Sequence, residues 1–166
     1  MAATLELDDI QGLVARGYGT LPTATFVLLR INDSAAARAW LGVLAGEVAT
    51  AERGDRSQAV HVALTASGLG RLGLREGSLA GFPGEFTGGM TTDHRRRILG
   101  DVGESAPERW RWGGPASPVD ALLLLYAEDQ AGLDALAERY AGPAVIDRGE
   151  NRRAGVRPPG RSPTTA

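Results

Sequence analysis

Thr25 to Ile31 reads TFVLLRI, a short run of β-branched and large apolar residues, and it predicts a first strand entered through the turn at Leu21-Pro22. The period then changes. Asn32-Asp33-Ser34 offers N-cap side chains, and Ala37, Trp40, Leu41, Leu44 and Val48 recur at helical spacing on one face up to Gly54, predicting a first helix. Ala59 to Thr65, AVHVALT, alternates as a second strand does, and Thr65 or Ser67 can cap a short helical turn after it. From Gly68 to Pro118 the chain is dominated by Gly, Pro and charge, which predicts a long structured insertion with one short helix near Thr92 to Leu99. Val119 to Ala127, VDALLLLYA, is the most apolar run, and its length suits a central third strand. Asp129 can cap a second helix bearing Leu133, Leu136, Ala137 and Tyr140, closed by Gly142-Pro143, and a short fourth strand is expected over Ala144 to Asp147.

The order is β-α-β, a long excursion, then β-α-β. That is the split βαβ pattern of an α+β, ferredoxin-like domain: a four-stranded antiparallel sheet with helices on one face and an insertion between strands two and three. Residues 1–150 form this domain, and the Arg- and Pro-rich residues 151–166 are expected to be a disordered tail. Phe26 to Leu29 and Leu122 to Leu125 are apolar at consecutive positions, so side chains of both strands project from both sheet faces. Two helices cover one face only. The other is expected to expose a contiguous apolar patch that a partner or second domain covers, unless the insertion folds back over it.

Composition narrows the chemistry. The formal charge of −2 gives no long-range field to attract nucleic acid or an anionic membrane, and neither partner is expected. All 18 basic residues are Arg, and the lack of Cys removes disulfides, thiolate metal sites and a thiol nucleophile together. The opening MAATLELDDIQG resembles no export signal, and no run approaches the roughly 20 apolar residues of a membrane span, so a soluble cytoplasmic protein is expected.

Gly68-Leu69-Gly70-Arg71-Leu72-Gly73 follows a strand and fits G-x-G-x-x-G, but a dinucleotide site needs a long helix running on from the last Gly. Here Leu74-Arg75-Glu76-Gly77 leads into Phe82-Pro83-Gly84, so a one-turn helix anchoring Leu69 and Leu72 is the expected role. His61 lies inside strand two and His94 in a polar segment, each without a partner at metal-ligand spacing. No G-x-S-x-G elbow is present, and Arg95-Arg96-Arg97 lacks the interleaved aromatics of a nucleic-acid site.

Taken as an ordered series, Leu7-Asp8-Asp9-Ile10-Gln11-Gly12, Leu64 to Leu69 with Leu72-Gly73-Leu74, Phe82-Pro83 with Glu85-Phe86, Gly89-Met90, Leu99-Gly100-Asp101 and Trp110-Arg111-Trp112-Gly113 resemble the N-terminal half of dye-decolourising (DyP-type) haem peroxidases. The likeness covers roughly residues 5–150. It implies two ferredoxin-like domains in one enzyme, haem b bound mainly by the second, and hydrogen-peroxide-driven oxidation of dyes and phenolic compounds. The family's G-x-x-D-G motif with its distal Asp, its distal Arg and its proximal His cannot be placed here. After Ile146 to Glu150 the chain reads Asn151-Arg152-Arg153-Ala154-Gly155-Val156-Arg157, which resembles a shifted frame or truncation. The expectation is a catalytically silent chain that holds no haem alone and needs a C-terminal ferredoxin-like domain, or a second copy across the open sheet face. In a complete enzyme Trp110, Trp112, Tyr126 and Tyr140 are candidates for passing electrons to the surface, against an ordinary packing role. No catalytic, cofactor-binding or metal residue is assigned.

Two other readings stay open. One is a non-catalytic ferredoxin-like binding or dimerisation module. The other is a small haem-handling enzyme on a dimeric scaffold of the same kind, which needs an iron ligand the sequence does not name.

Overall fold

The computed structural model describes residues 5–52 and 57–140, together with the backbone of 146–148 and 152–155. Helix α1 (Gly12–Ala15) precedes β1 (Thr23–Ile31), and α2 (Ser34–Ala45) leads back to β2 (Gln58–Leu64). The excursion carries α3 (Ala66–Arg71), α4 (Glu76–Leu79), α5 (Gly84–Gly88) and α6 (Asp93–Leu99), then tight turns at Gly103–Ser105 and Pro107–Arg109. Strand β3 (Ala121–Ala127), α7 (Gln130–Tyr140), β4 (Ile146–Arg148) and β5 (Arg152–Gly155) complete the order.

Strand β3 lies between its two antiparallel partners, with Leu124 opposite Phe26 of β1 on one side and His61 of β2 on the other. β4 and β5 both run antiparallel along the outer edge of β1, at Leu29 to Ile31 and Thr23 to Phe26. The strand order is β2-β3-β1-β4 with β5 also paired to β1, so the sheet has five strands among the described residues where the sequence predicts four. Of the expected fourth strand, Ala144 and Val145 lie outside the described residues. So does the predicted tail except Arg152–Gly155, which pairs with β1.

The helices pack on one face. Val27, Leu29, Val60, Leu123, Leu125 and Ala127 meet Leu44 of α2 and Leu133, Leu136 and Tyr140 of α7, and Leu123 and Leu125 are 0% exposed. The predicted caps hold: Asp33 Oδ1 accepts from Ala35 N and Ala36 N at 2.8 and 3.0 Å, and Asp129 Oδ1 from Gly132 N at 2.8 Å. Helix α2 stops at Ala45, well before Gly54, because Gly46 makes continuation unfavourable. Val48 still reaches the core from the following turn, which is why the apolar spacing outlasts the helix.

The insertion is more helical than its composition predicts. Thr92 caps α6, Pro83 precedes α5 and Pro107 opens the second tight turn, so each short element has a local start signal although none is long enough to show a period. The excursion is fastened to the sheet by Asp120, one residue before β3 and 1% exposed. Its Oδ2 accepts from Ile31 N at 2.9 Å, and its Oδ1 accepts from Ser67 Oγ and pairs with Arg71 Nε, each at 3.3 Å. Its carbonyl takes Thr65 N at 3.0 Å, so one residue joins β1, α3 and the start of β3. Gly68 of α3 lies against that carbonyl so closely that a Cβ would overlap it.

Candidate functional site

The face away from α2 and α7 presents Ala24, Phe26 and Leu28 of β1, Ala59, His61 and Ala63 of β2, and Leu122, Leu124 and Tyr126 of β3. Its two ends differ. At one, Tyr18, Leu21 and Ala49 pack on Ala59 and Tyr126 and close the surface. At the other, Leu28 and Leu122 floor an open cleft of about 660 Å³ whose sides come from Phe86, Gly89 and Met90 and from Trp110, Trp112 and Pro115. Phe26 and Leu122 remain half-buried and Ala63 exposed, so the insertion walls this end without roofing it. Both sequence alternatives therefore hold in part: the second face is apolar and open, but only over the half nearest the insertion.

The four aromatic candidates do not form one group. Trp110 and Trp112 line the cleft, Trp110 fixed by its indole N–H donating to Ser105 O at 2.8 Å and Trp112 half-exposed. Tyr126 shares their sheet face but sits at the closed end, stacked on Tyr18 at 5.2 Å between ring centroids and edge-on to Phe26 and His61 at 6.3 Å each. Tyr140 lies on the opposite side of the sheet, in the helix-side core, with the Arg139 guanidinium 5.2 Å from its ring centroid.

Burial, reinforced by the neighbouring Tyr18, holds the Tyr126 phenol above its ordinary value, and burial with the Glu47 carboxylate raises Tyr140 while Arg139 opposes it. A raised phenol keeps its proton in the folded chain at a pH where the unfolded chain has lost it. Stability from this source is complete below about pH 10 and declines as pH rises above it. With neither Lys nor Cys in the chain, phenols dominate titration there. The expected outcome is a urea midpoint that falls above pH 10, and falls less in Tyr126→Phe; an equal alkaline decline in both proteins would refute the assignment.

The glycine motif is structural. Helix α3 has six residues, Gly68 permits the approach to Asp120 and Gly73 takes a positive φ of 95°, so no long helix faces a phosphate. The basic run is largely ion-paired: Arg95 with Glu85 at 3.6 Å and Arg96 with Glu108 at 3.0 Å. Among the described residues no group of three or more His, Cys, Asp or Glu side chains converges to hold a metal, and no helix is long and apolar enough to cross a membrane.

Haem iron needs an axial ligand facing an open space. The cleft is lined by one carboxylate, Glu85, and by no His. His61 is 1% exposed against the Tyr18 ring, 5.1 Å away, and His94 is exposed on α6 and does not line the cleft. The described residues thus do not fit a haem site. Sequence reasoning passed over two residues that order this face, Asp120 and Gln11. Asp120 is a lone charge heading an apolar run, and that is a readable signal of a buried partner.

No family model matches the chain, and none of the curated proteins does. Solved structures do. A DyP-type peroxidase from Anabaena sp. matches with a TM-score of 0.74 at 18% identity over 89% of this chain and 34% of that one. An ancestral D-type dye-decolorizing peroxidase matches at 0.77 and 21% over 95% and 36%, and a dye-decolorizing peroxidase with a haem pocket engineered for asymmetric sulfoxidation at 0.70 and 17% over 93% and 34%. The chain spans about a third of the length of the structures it matches. At these identities the likeness establishes the fold.

Proposed function

We propose that this chain is one ferredoxin-like half of a DyP-type haem peroxidase, a four-stranded unit with its inserted excursion, and that a second such half docks over its open cleft. In the paired enzyme haem b belongs to the second half, and hydrogen peroxide drives oxidation of dyes and phenolic compounds there. The observation that carries this reading is that nearly the whole chain superposes on about a third of peroxidase chains. The apolar cleft agrees with it, since a surface of this kind is where a second layer packs. This half contributes walls and a floor, while peroxide cleavage needs a proton-moving group and a positive charge over iron; the described cleft is lined by one carboxylate, Glu85, and by no Arg, Lys or His.

The test is the absorption spectrum of the purified chain titrated with haem, followed by peroxide and a dye. Free-haem absorption and no dye oxidation are expected; a shifted Soret band with turnover by the chain alone overturns the reading. The second reading, a non-catalytic ferredoxin-like module that pairs through the same face, is favoured by the lack of an axial ligand among the residues lining the cleft. A monomer that binds hydrophobic dye supports the peroxidase-half reading, and a dye-silent stable dimer supports the module.

A further inference from the structure

Strand β2 pairs with β3 on one side only, so the N–H and C=O groups of alternate residues point away from the sheet. Sheet edges are commonly protected by charge or Pro, and β2 reads Gln-Ala-Val-His-Val-Ala-Leu with neither Pro nor a Lys, Arg, Asp or Glu. Protection comes instead from the chain before β1. Gln11 Nε2 donates to Val62 O at 2.9 Å, and Gln11 Oε1 accepts from Val62 N at 3.1 Å. One residue of β2 thus exchanges both of its outward bonds with a single primary amide, as it would with the peptide groups of a neighbouring strand.

The backbone around Gln11 aims this amide. Ala51 N donates to Ile10 O and Gly12 N to Ala49 O, each at 2.7 Å, and Ala49 N covers the adjacent outward carbonyl, Val60 O, at 2.9 Å. Gly12 is required there: a Cβ would come within 2.7 Å of Thr50 O. Yet the strap has little apolar anchorage, since Leu5, Leu7, Leu13 and Val14 are all exposed. It is held by polar bonds of the kind that open locally at small cost.

We propose that Gln11 guards this edge: its amide stands in for a neighbouring strand, and its loss lets β2 pair antiparallel with β2 of a second copy of the chain. An uncharged strand is self-complementary under two-fold symmetry, which makes another copy the fitting occupant. The inference is independent of the peroxidase reading.

The experiment follows amide hydrogen exchange at Val62, and mass by sedimentation, in Gln11→Ala over a range of protein concentration. Expected are exchange about tenfold faster than in the parent chain when dilute, then renewed protection and roughly a doubling of weight-average mass as concentration rises. Gln11→Asn, one methylene shorter, shows the same trend and serves if the Ala variant does not fold. Asp129→Ala loosens the chain at the remote cap of α7 and leaves both readings unchanged. Undiminished Val62 protection in the dilute Gln11 variants overturns the proposal, as does a constant mass, or equal association by Asp129→Ala.

Discussion

Replacing Asp120 with Ala lowers the unfolding free energy by about 3 kcal/mol, read as an earlier urea midpoint at unchanged slope. Most of this loss comes from the Ile31 N–H, which is left inside the structure without its acceptor at 2.9 Å. Smaller parts come from Ser67 and from the pairing with Arg71, whose side chain is 47% exposed and so gives up little on losing a partner that water can partly replace. Asp120→Asn separates the two contributions. An amide oxygen can keep the Ile31 bond while the charge is gone, and the expected cost is about 1 kcal/mol. Were Ala and Asn equally costly, the charge rather than the backbone anchor would be what matters, and this account of the carboxylate would fail.

Gly68→Ala costs about 2–3 kcal/mol, because the added methyl meets backbone rather than a movable side chain. The obstacle is the Asp120 carbonyl, which is itself tied to Thr65 N and begins the central strand. The companion substitution, Gly70→Ala, is expected to stabilise the chain by about 0.5–1 kcal/mol. It lies in the same helix, its methyl would touch only Leu79 Cδ1 at 3.7 Å, and Ala is the better helix former. Opposite signs two residues apart are the diagnostic result, measured by thermal or urea unfolding. A neutral Gly68→Ala would mean that α3 can slide off β3. Because Gly68 and Asp120 touch, the double variant should cost less than the sum of its parts.

What could be read from the sequence follows from the length scale of each signal. Strands one and three emerged as apolar runs of seven or more residues, strand two by its alternation and both long helices by their apolar spacing, and Asp33, Thr65 and Asp129 cap as their side chains predict. Helices α1, α4 and α5 span four or five residues, too few for a periodic stripe, and went unrecognised. From the sequence Tyr126 groups with Tyr140, whereas strand register puts Tyr126 on the face opposite Leu123 and Leu125, and Tyr140 packs with Leu133 and Leu136 in the helix-side core. The gathering of Trp110, Trp112, Phe86 and Met90 around Leu28 and Leu122 was not legible, since it depends on how an aperiodic excursion doubles back. Gln11 was visible only as one letter of a motif; its partner Val62 lies 51 positions away, beyond any local pattern.

The placement of β3 between β1 and β2 also sets the order in which the molecule can assemble. Neither early strand can ladder with the other, and Thr23 must wait for Ala127, 104 positions later, to gain its cross-strand neighbour. A growing polypeptide emerging from the ribosome therefore carries two unmatched strands through the synthesis of the whole excursion. Closing so distant a pair slows collapse to the native arrangement and prolongs the interval in which those strands are open to chaperones or to misassembly.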